Sequence, residues 1–174
     1  GDTIVDVCGA PGGKSINAAL KMSEQGDCGR VITRDLSDYK VALIDENIKR
    51  LNITNIQTQV YDALDCDESL INKADIVIAD LPCSGLGIIG RKPDIKYNAS
   101  PEKLQSLVDL QRDILKVVSR YVKSGGVLMY STCTINRAEN EDNADWICKE
   151  SGFTKDGEYH QLLPANNSGM DGFF

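Results

Sequence analysis

The chain has 174 residues, 41% of them hydrophobic, and a formal net charge of −7. That length and apolar fraction suit one compact domain with a real core, and no apolar stretch approaches the ~20 residues needed to cross a bilayer. The acidic balance argues against gripping a polyanion through bulk electrostatics, so any nucleic-acid contact must use a local basic patch or another part of the protein.

In chain order, short β-branched runs alternate with longer helical periods, a pattern that predicts a mostly parallel sheet covered by helices. Strands are expected at Thr3 to Cys8, Arg30 to Asp35, Ile56 to Tyr61, Asp75 to Asp80 and Gly126 to Ser131. The first helix is expected from Lys14 to Gln25. The second carries Val41, Ile44, Ile48 and Leu51 as a stripe facing the sheet. A third opens with Ser100 as cap and Pro101 at the first helical position. Its stripe of Leu104, Leu107, Leu115 and Val118 runs on to Val122, and Gly125-Gly126 marks its end. A fourth starts at Asn136, with Glu139 three residues later as a capping-box partner. Phe153 to Leu163 reads as a late, partly irregular strand region.

Each predicted strand ends in residues that can do chemistry. Asp6-Val7-Cys8-Gly9-Ala10-Pro11-Gly12-Gly13-Lys14-Ser15 is a glycine-rich turn into a helix, where backbone N–H groups can meet a ligand. A phosphate loop would need glycine where Cys8 stands, and the dinucleotide spacing is absent too, so a tight turn with no ligand is the structural alternative. Asp35 and Asp62 end the second and third strands, placed to take ribose hydroxyls and an adenine amino group, although an aspartate alone is more often a turn residue.

Cys83 follows the fourth strand in Asp80-Leu81-Pro82-Cys83-Ser84-Gly85, and Cys133 follows the fifth in Tyr130-Ser131-Thr132-Cys133-Thr134. A thiolate is a strong nucleophile, and the carboxyl ends of parallel strands are where such sheets hold ligands. Adjacent strands lie ~4.8 Å apart, so if the fourth and fifth are neighbours the two thiols can flank one small planar substrate. For a single cysteine, burial as a packing residue would be the ordinary outcome. The six cysteines form no C-x-x-C pair, which argues against a zinc site or redox motif and fits reduced thiols in a cytoplasmic protein. No metal site is expected. Arg91-Lys92-Pro93-Asp94-Ile95-Lys96-Tyr97 has the composition for phosphate contact and base stacking.

These motifs resemble the RNA cytosine-carbon-5 methyltransferases of the Sun (RsmB-like, NOL/NOP/Sun) type. The matching stretches are Asp6 to Lys14, Asp80 to Gly85, and Tyr130 to Thr134 with Glu139-Asn140-Glu141, spanning nearly the whole chain. The stretch Gly87 to Tyr97 looks most like the bacterial branch acting on 16S ribosomal RNA. Gly9 and Leu81 depart from the family's usual alanine, and Thr134 from its frequent serine; none removes a reactive group.

The resemblance implies a class I S-adenosylmethionine-dependent methyltransferase fold, Rossmann-like, with helices on both faces of the sheet. It implies S-adenosylmethionine held by Cys8, Gly9, Ala10, Pro11, Gly12, Gly13 and Lys14, with Asp35 on the ribose, Asp62 near the adenine and Asp80 near the methionine end and the target base. It implies Cys133 as nucleophile and Cys83 in product release. The expected partner is an RNA presenting an unstacked cytosine, to a protein expected to be monomeric. Because the chain opens directly on an apolar run and closes on Asp171-Gly172-Phe173-Phe174, it reads as a domain cut from a longer chain, its last strand truncated and its RNA-binding domain absent. Competing readings are the same chemistry on transfer RNA or another ribosomal site, a nucleotide-binding or redox domain, and a module inactive without its RNA-binding domain.

Overall fold

The computed structural model describes residues 1–26, 28–164 and 170–174. They form two compact units, Gly1–Asp80 with Val117–Met129, and Leu81–Lys116 with Tyr130–Phe174.

The elements alternate as the β-branched runs predict: β1 Thr3–Asp6, α1 Gly13–Glu24, β2 Arg30–Asp35, α2 Asp38–Leu51, β3 Ile56–Val60 and β4 Ala74–Asp80. There follow α3 Ile95–Asn98, α4 Pro101–Val118, β5 Val122–Ser131 and α5 Glu141–Ser151. The sheet order is β3-β2-β1-β4-β5. Val5 pairs in parallel with Ile32 on one side and Val77 on the other. Gly126 lies against the carbonyls of Ala74 and Asp75, and Leu81 N donates to Ser131 O, so β5 also runs parallel to β4. Outward from β1, one connection goes to β2 and the other flank is taken by β4. That reversal opens a crevice at the carboxyl ends of β1 and β4.

The first unit buries Ile4, Ala19, Met22, Val31 and Ile78 together, with Ile53, Ile56 and Ile76 against them. Burying Ile4, Met22, Val31 or Ile78 contributes about 1.5–3 kcal/mol each relative to exposure. Ser37 caps α2 by accepting from Lys40 N at 3.4 Å, and Asn52 ends it in the left-handed region at φ 52°. A buried polar knot joins three elements: Ser15 Oγ donates to Asp6 Oδ2 at 2.5 Å and bonds Thr33 Oγ1 at 2.9 Å. Asp6 is 1% exposed and its Oδ1 has no partner. Burial is the main cause that pushes its carboxyl up to about 6, with the nearby Asp80 carboxylate adding to it and Ser15 opposing it. Among the described residues no helix is long and apolar enough to cross a membrane.

β1 ends at Asp6 rather than Cys8, and three larger differences from the sequence reading follow. The helix expected to reach Val122 ends at Val118; a 3₁₀ turn Ser119–Tyr121 follows, and β5 begins at Val122. Gly125-Gly126 therefore lies inside a strand rather than after a helix. Gly126 is required there by close approach, since a Cβ would fall 2.8 Å from Asp75 O. The helix expected at Asn136 begins at Glu141, after a 3₁₀ turn Arg137–Glu139. Phe153 to Leu163 holds no strand, only a bridge from Leu162 to Phe173.

Gly126→Ala is expected to lower unfolding stability by about 1–3 kcal/mol through overpacking, read by urea denaturation. Between the ordinary aspartate value and pH 6, folded Asp6 retains a proton that the unfolded chain releases. Stability should therefore decline as pH rises across that window, by about 3 kcal/mol at most, and level off above it. Denaturation at a series of pH values should show this slope in the wild type and lose it in Asp6→Asn.

Candidate active site

In the first unit, the turn between β1 and α1 and the end of β4 line an open cleft of about 210 Å³. Its walls are Asp6, Cys8, Gly9, Ala10, Pro11, Gly13, Lys14 and Asp80. It occupies the crevice that the strand order creates. Gly12 stands at the cap of α1 with no side-chain cap bond, and a Cβ on Gly13 would meet nothing within 4 Å, so the helix start is left open. The Ala10–Pro11 peptide is cis. Lys14 Nζ lies 2.5 Å from Asp80 Oδ2, an ion pair with both side chains about a third exposed.

Six of the seven turn residues expected at a cofactor site line this cleft, as does Asp80. Gly12, Asp35 and Asp62 do not. Asp35 instead braces the turn from below: Oδ2 accepts from Ala10 N at 3.0 Å, Oδ1 accepts from Leu36 N at 2.8 Å, and Lys40 Nζ lies 2.9 Å from Oδ1. Asp62 accepts from Leu64 N at 2.9 Å, a local turn bond. Asp6 is a lining residue that sequence reasoning passed over, although its place at the last position of β1 before the glycine turn was the available signal. The Cys8 thiol is pushed up to about 12, chiefly by burial and then by the carboxylates of Asp35 and Asp6. It is a neutral, unreactive thiol at neutral pH.

In the second unit, the loops after β4 and β5 bring Cys83 Sγ and Cys133 Sγ to 3.3 Å, both half-buried and neither in a disulfide. The adjacency of β4 and β5 on which their pairing depended is thus present. Gly87 lets the loops touch: Gly87 N donates to Cys133 O at 3.1 Å, and a Cβ there would sit 2.7 Å from that oxygen and 2.4 Å from Gly172 O. Ser84 and Thr134 hydroxyls bond at 2.8 Å. The Cys83 thiol is pushed up by its bond to Cys133, by burial and by the repulsion a second thiolate beside Cys133 would meet. Two adjacent thiolates repel, so the pair keeps at least one proton.

Beneath the thiols lies a polar cluster. Glu139, fully buried, accepts through Oε2 from Ser84 N at 2.8 Å and Gln111 Nε2 at 3.0 Å, and through Oε1 from Asn136 Nδ2 at 2.9 Å. The capping-box reading of Glu139 is thereby corrected: its carboxylate meets the Asn136 amide side chain and two distant donors, not the Asn136 backbone. Gln111 Nε2 also donates to Pro82 O at 2.9 Å, and its Oε1 accepts from Asn143 Nδ2 at 2.8 Å. Tyr130 donates its hydroxyl to the Glu139 carbonyl. Asn140 Oδ1 accepts from the Thr132 hydroxyl at 2.5 Å, and its Nδ2 donates to Thr134 O at 3.0 Å. One signal for this cluster was present in sequence: Gln111 interrupts the apolar stripe between Leu107 and Leu115.

Among the described residues no group of three or more His, Cys, Asp or Glu could hold a metal ion. The Arg91–Tyr97 stretch is exposed, with Arg91 paired to Asp171 at 3.0 Å and the Lys96 ammonium 4.8 Å from the ring centre of Tyr97, itself 80% exposed.

Comparison with known proteins places this arrangement. The chain is 38% identical to the probable ribosomal RNA small subunit methyltransferase B of Bacillus subtilis (strain 168), over 99% of this chain and 42% of that protein. It is 34% identical to the ribosomal RNA small subunit methyltransferase F of Escherichia coli O157:H7 (strain EC4115 / EHEC), over 83% of this chain and 29% of that one. The chain thus spans less than half the length of these curated relatives. The crystal structure of NSun6 from Pyrococcus horikoshii with SFG superposes at a TM-score of 0.79 with 26% identity, covering 99% of this chain and 46% of that one. A family model described as 16S rRNA methyltransferase RsmB/F matches residues 1–174, and the chain belongs to that family.

Proposed function

We propose that this chain carries the catalytic part of an S-adenosylmethionine-dependent methyltransferase that modifies carbon 5 of a cytosine in RNA, 16S ribosomal RNA above all. The observation that carries the reading is the pair of thiols 3.3 Å apart at the ends of two neighbouring parallel strands.

The cleft of the first unit fits the cofactor. Asp6 Oδ1 is a buried acceptor without a partner and Asp80 is a second carboxylate, both suited to a ligand bearing ammonium and sulfonium charges. Cys8 to Lys14 would hold its methionine part, with Asp35 on the ribose and Asp62 near the adenine. Bound there, S-adenosylmethionine supplies an electrophilic methyl group.

The protein's own residues do the rest. Carbon 5 of cytosine is a poor nucleophile until the Cys133 thiolate adds to carbon 6 and converts the ring to an enamine. Asp80, joined to Cys83 through Leu81-Pro82, accepts from the exocyclic amine with one oxygen and, when protonated on the other, donates to ring nitrogen 3, drawing electron density from the ring. Bond formation also turns Cys133 into a neutral thioether. Cys83, once its own proton has passed to a water, or a water it positions, takes the carbon 5 proton, and Cys133 leaves as the thiolate. The base must be unstacked to be reached, which favours single-stranded or loop RNA. With a net charge of −7, RNA contact within this chain falls to the exposed Arg91–Tyr97 stretch, and the remaining affinity to other parts of the full-length protein.

Cys133→Ala is expected to abolish methylation of ribosomal RNA by the full-length protein, and Cys83→Ala to let a covalent protein–RNA adduct accumulate. Denaturing gels and mass-spectrometric mapping of 5-methylcytosine read both outcomes, and an active Cys133→Ala enzyme would sink the assignment.

A further inference from the structure

We infer that the dipeptide Glu139-Asn140 is a positioning device that sets the distance between the two thiols. The inference rests on the reading of those thiols as the reaction site. Both side chains are completely buried. Glu139 and Gln111 hold the peptide units on either side of Cys83: Gln111 Nε2 binds Pro82 O, and Glu139 Oε2 binds both Ser84 N and that same Gln111 amide. Asn140 holds both neighbours of Cys133, the Thr132 hydroxyl through Oδ1 and the Thr134 carbonyl through Nδ2. Two consecutive residues thus grip two loops that are 50 positions apart in sequence.

Chemistry explains why these side chains are a carboxylate and an amide. Two N–H donors converge on one oxygen of Glu139, and a carboxylate accepts them more strongly than a neutral amide. Asn140 must accept at one end and donate at the other, which an amide does and a carboxylate does not. A thioether adduct on Cys133 and a proton acceptor at Cys83 can serve one base only if their separation is held, and displacements of about 1 Å cost on the order of 100-fold in rate.

The test is capture of the dithiol by phenylarsine oxide in the full-length protein, with neither RNA nor cofactor present. Two As–S bonds form, both thiol protons leave with the oxide oxygen as water, and the product needs two thiols held close together. Cys83→Ser sets the background from the other cysteines. Thr132→Val removes the hydroxyl that Asn140 accepts while keeping shape, and Thr132→Ser restores it. Capture should slow about tenfold or more in Thr132→Val and in Glu139→Gln and return in Thr132→Ser, with kcat falling in parallel and KM for S-adenosylmethionine unchanged. Wild-type capture in folded Thr132→Val, or equal loss in Thr132→Ser, overturns the inference, and this pair decides even if Glu139→Gln does not fold. Because the capture step involves no methyl transfer, its loss in a protein that never methylates cytosine would indict the proposed reaction and leave the positioning device standing.

Discussion

Val5 sits between Ile32 and Val77, and this double parallel pairing of β1 fixes where the rest of the first unit can go. With a neighbour on each flank, β1 can release its chain only at its ends, and the turn at its carboxyl end must climb directly into α1. The buried knot of Asp6, Ser15 and Thr33 ties that turn to the helix above and to β2 alongside. The same pairing brings the end of β4 beside the turn, where Lys14 meets Asp80. The cleft is therefore a consequence of strand order before it is a property of any side chain.

Three cysteines show how far surroundings decide what a thiol does. Cys8 lies among carboxylates and is held neutral. Cys83 is pushed up as well, but chiefly by its hydrogen bond to Cys133 and then by burial. An upward shift alone does not mark a reactive group; the origin of the shift does.

Much of the fold was legible because its signals are local. β2 runs from Arg30 to Asp35 as its β-branched residues predict, and Ser100-Pro101 places the start of α4. The end of α4 was not legible, since Val118, Tyr121 and Val122 continue the helical spacing of apolar residues into a strand. The turn residues of the cofactor cleft and the two thiols could be read from motif and strand end. The support beneath the thiols could not: Glu139 finds Ser84 55 positions away and Gln111 28 positions away, and near its own position it looks like an ordinary cap. Asp35, conspicuous in sequence, also has a part that sequence did not show: its carboxylate braces the turn through Ala10 N and meets Lys40.

Cys83 and Cys133 are 50 positions apart, and the stretch between them includes all of α4 and β5. Contacts between residues so far apart must overcome loop-closure entropy, and they form only when the intervening elements are in place. Before then each cysteine is a solvated thiol with an ordinary pKa of about 8.5. A chain partly unfolded carries two separate thiols; the pair 3.3 Å apart comes into being only at the close of folding, so whatever depends on that spacing is available to the finished fold alone.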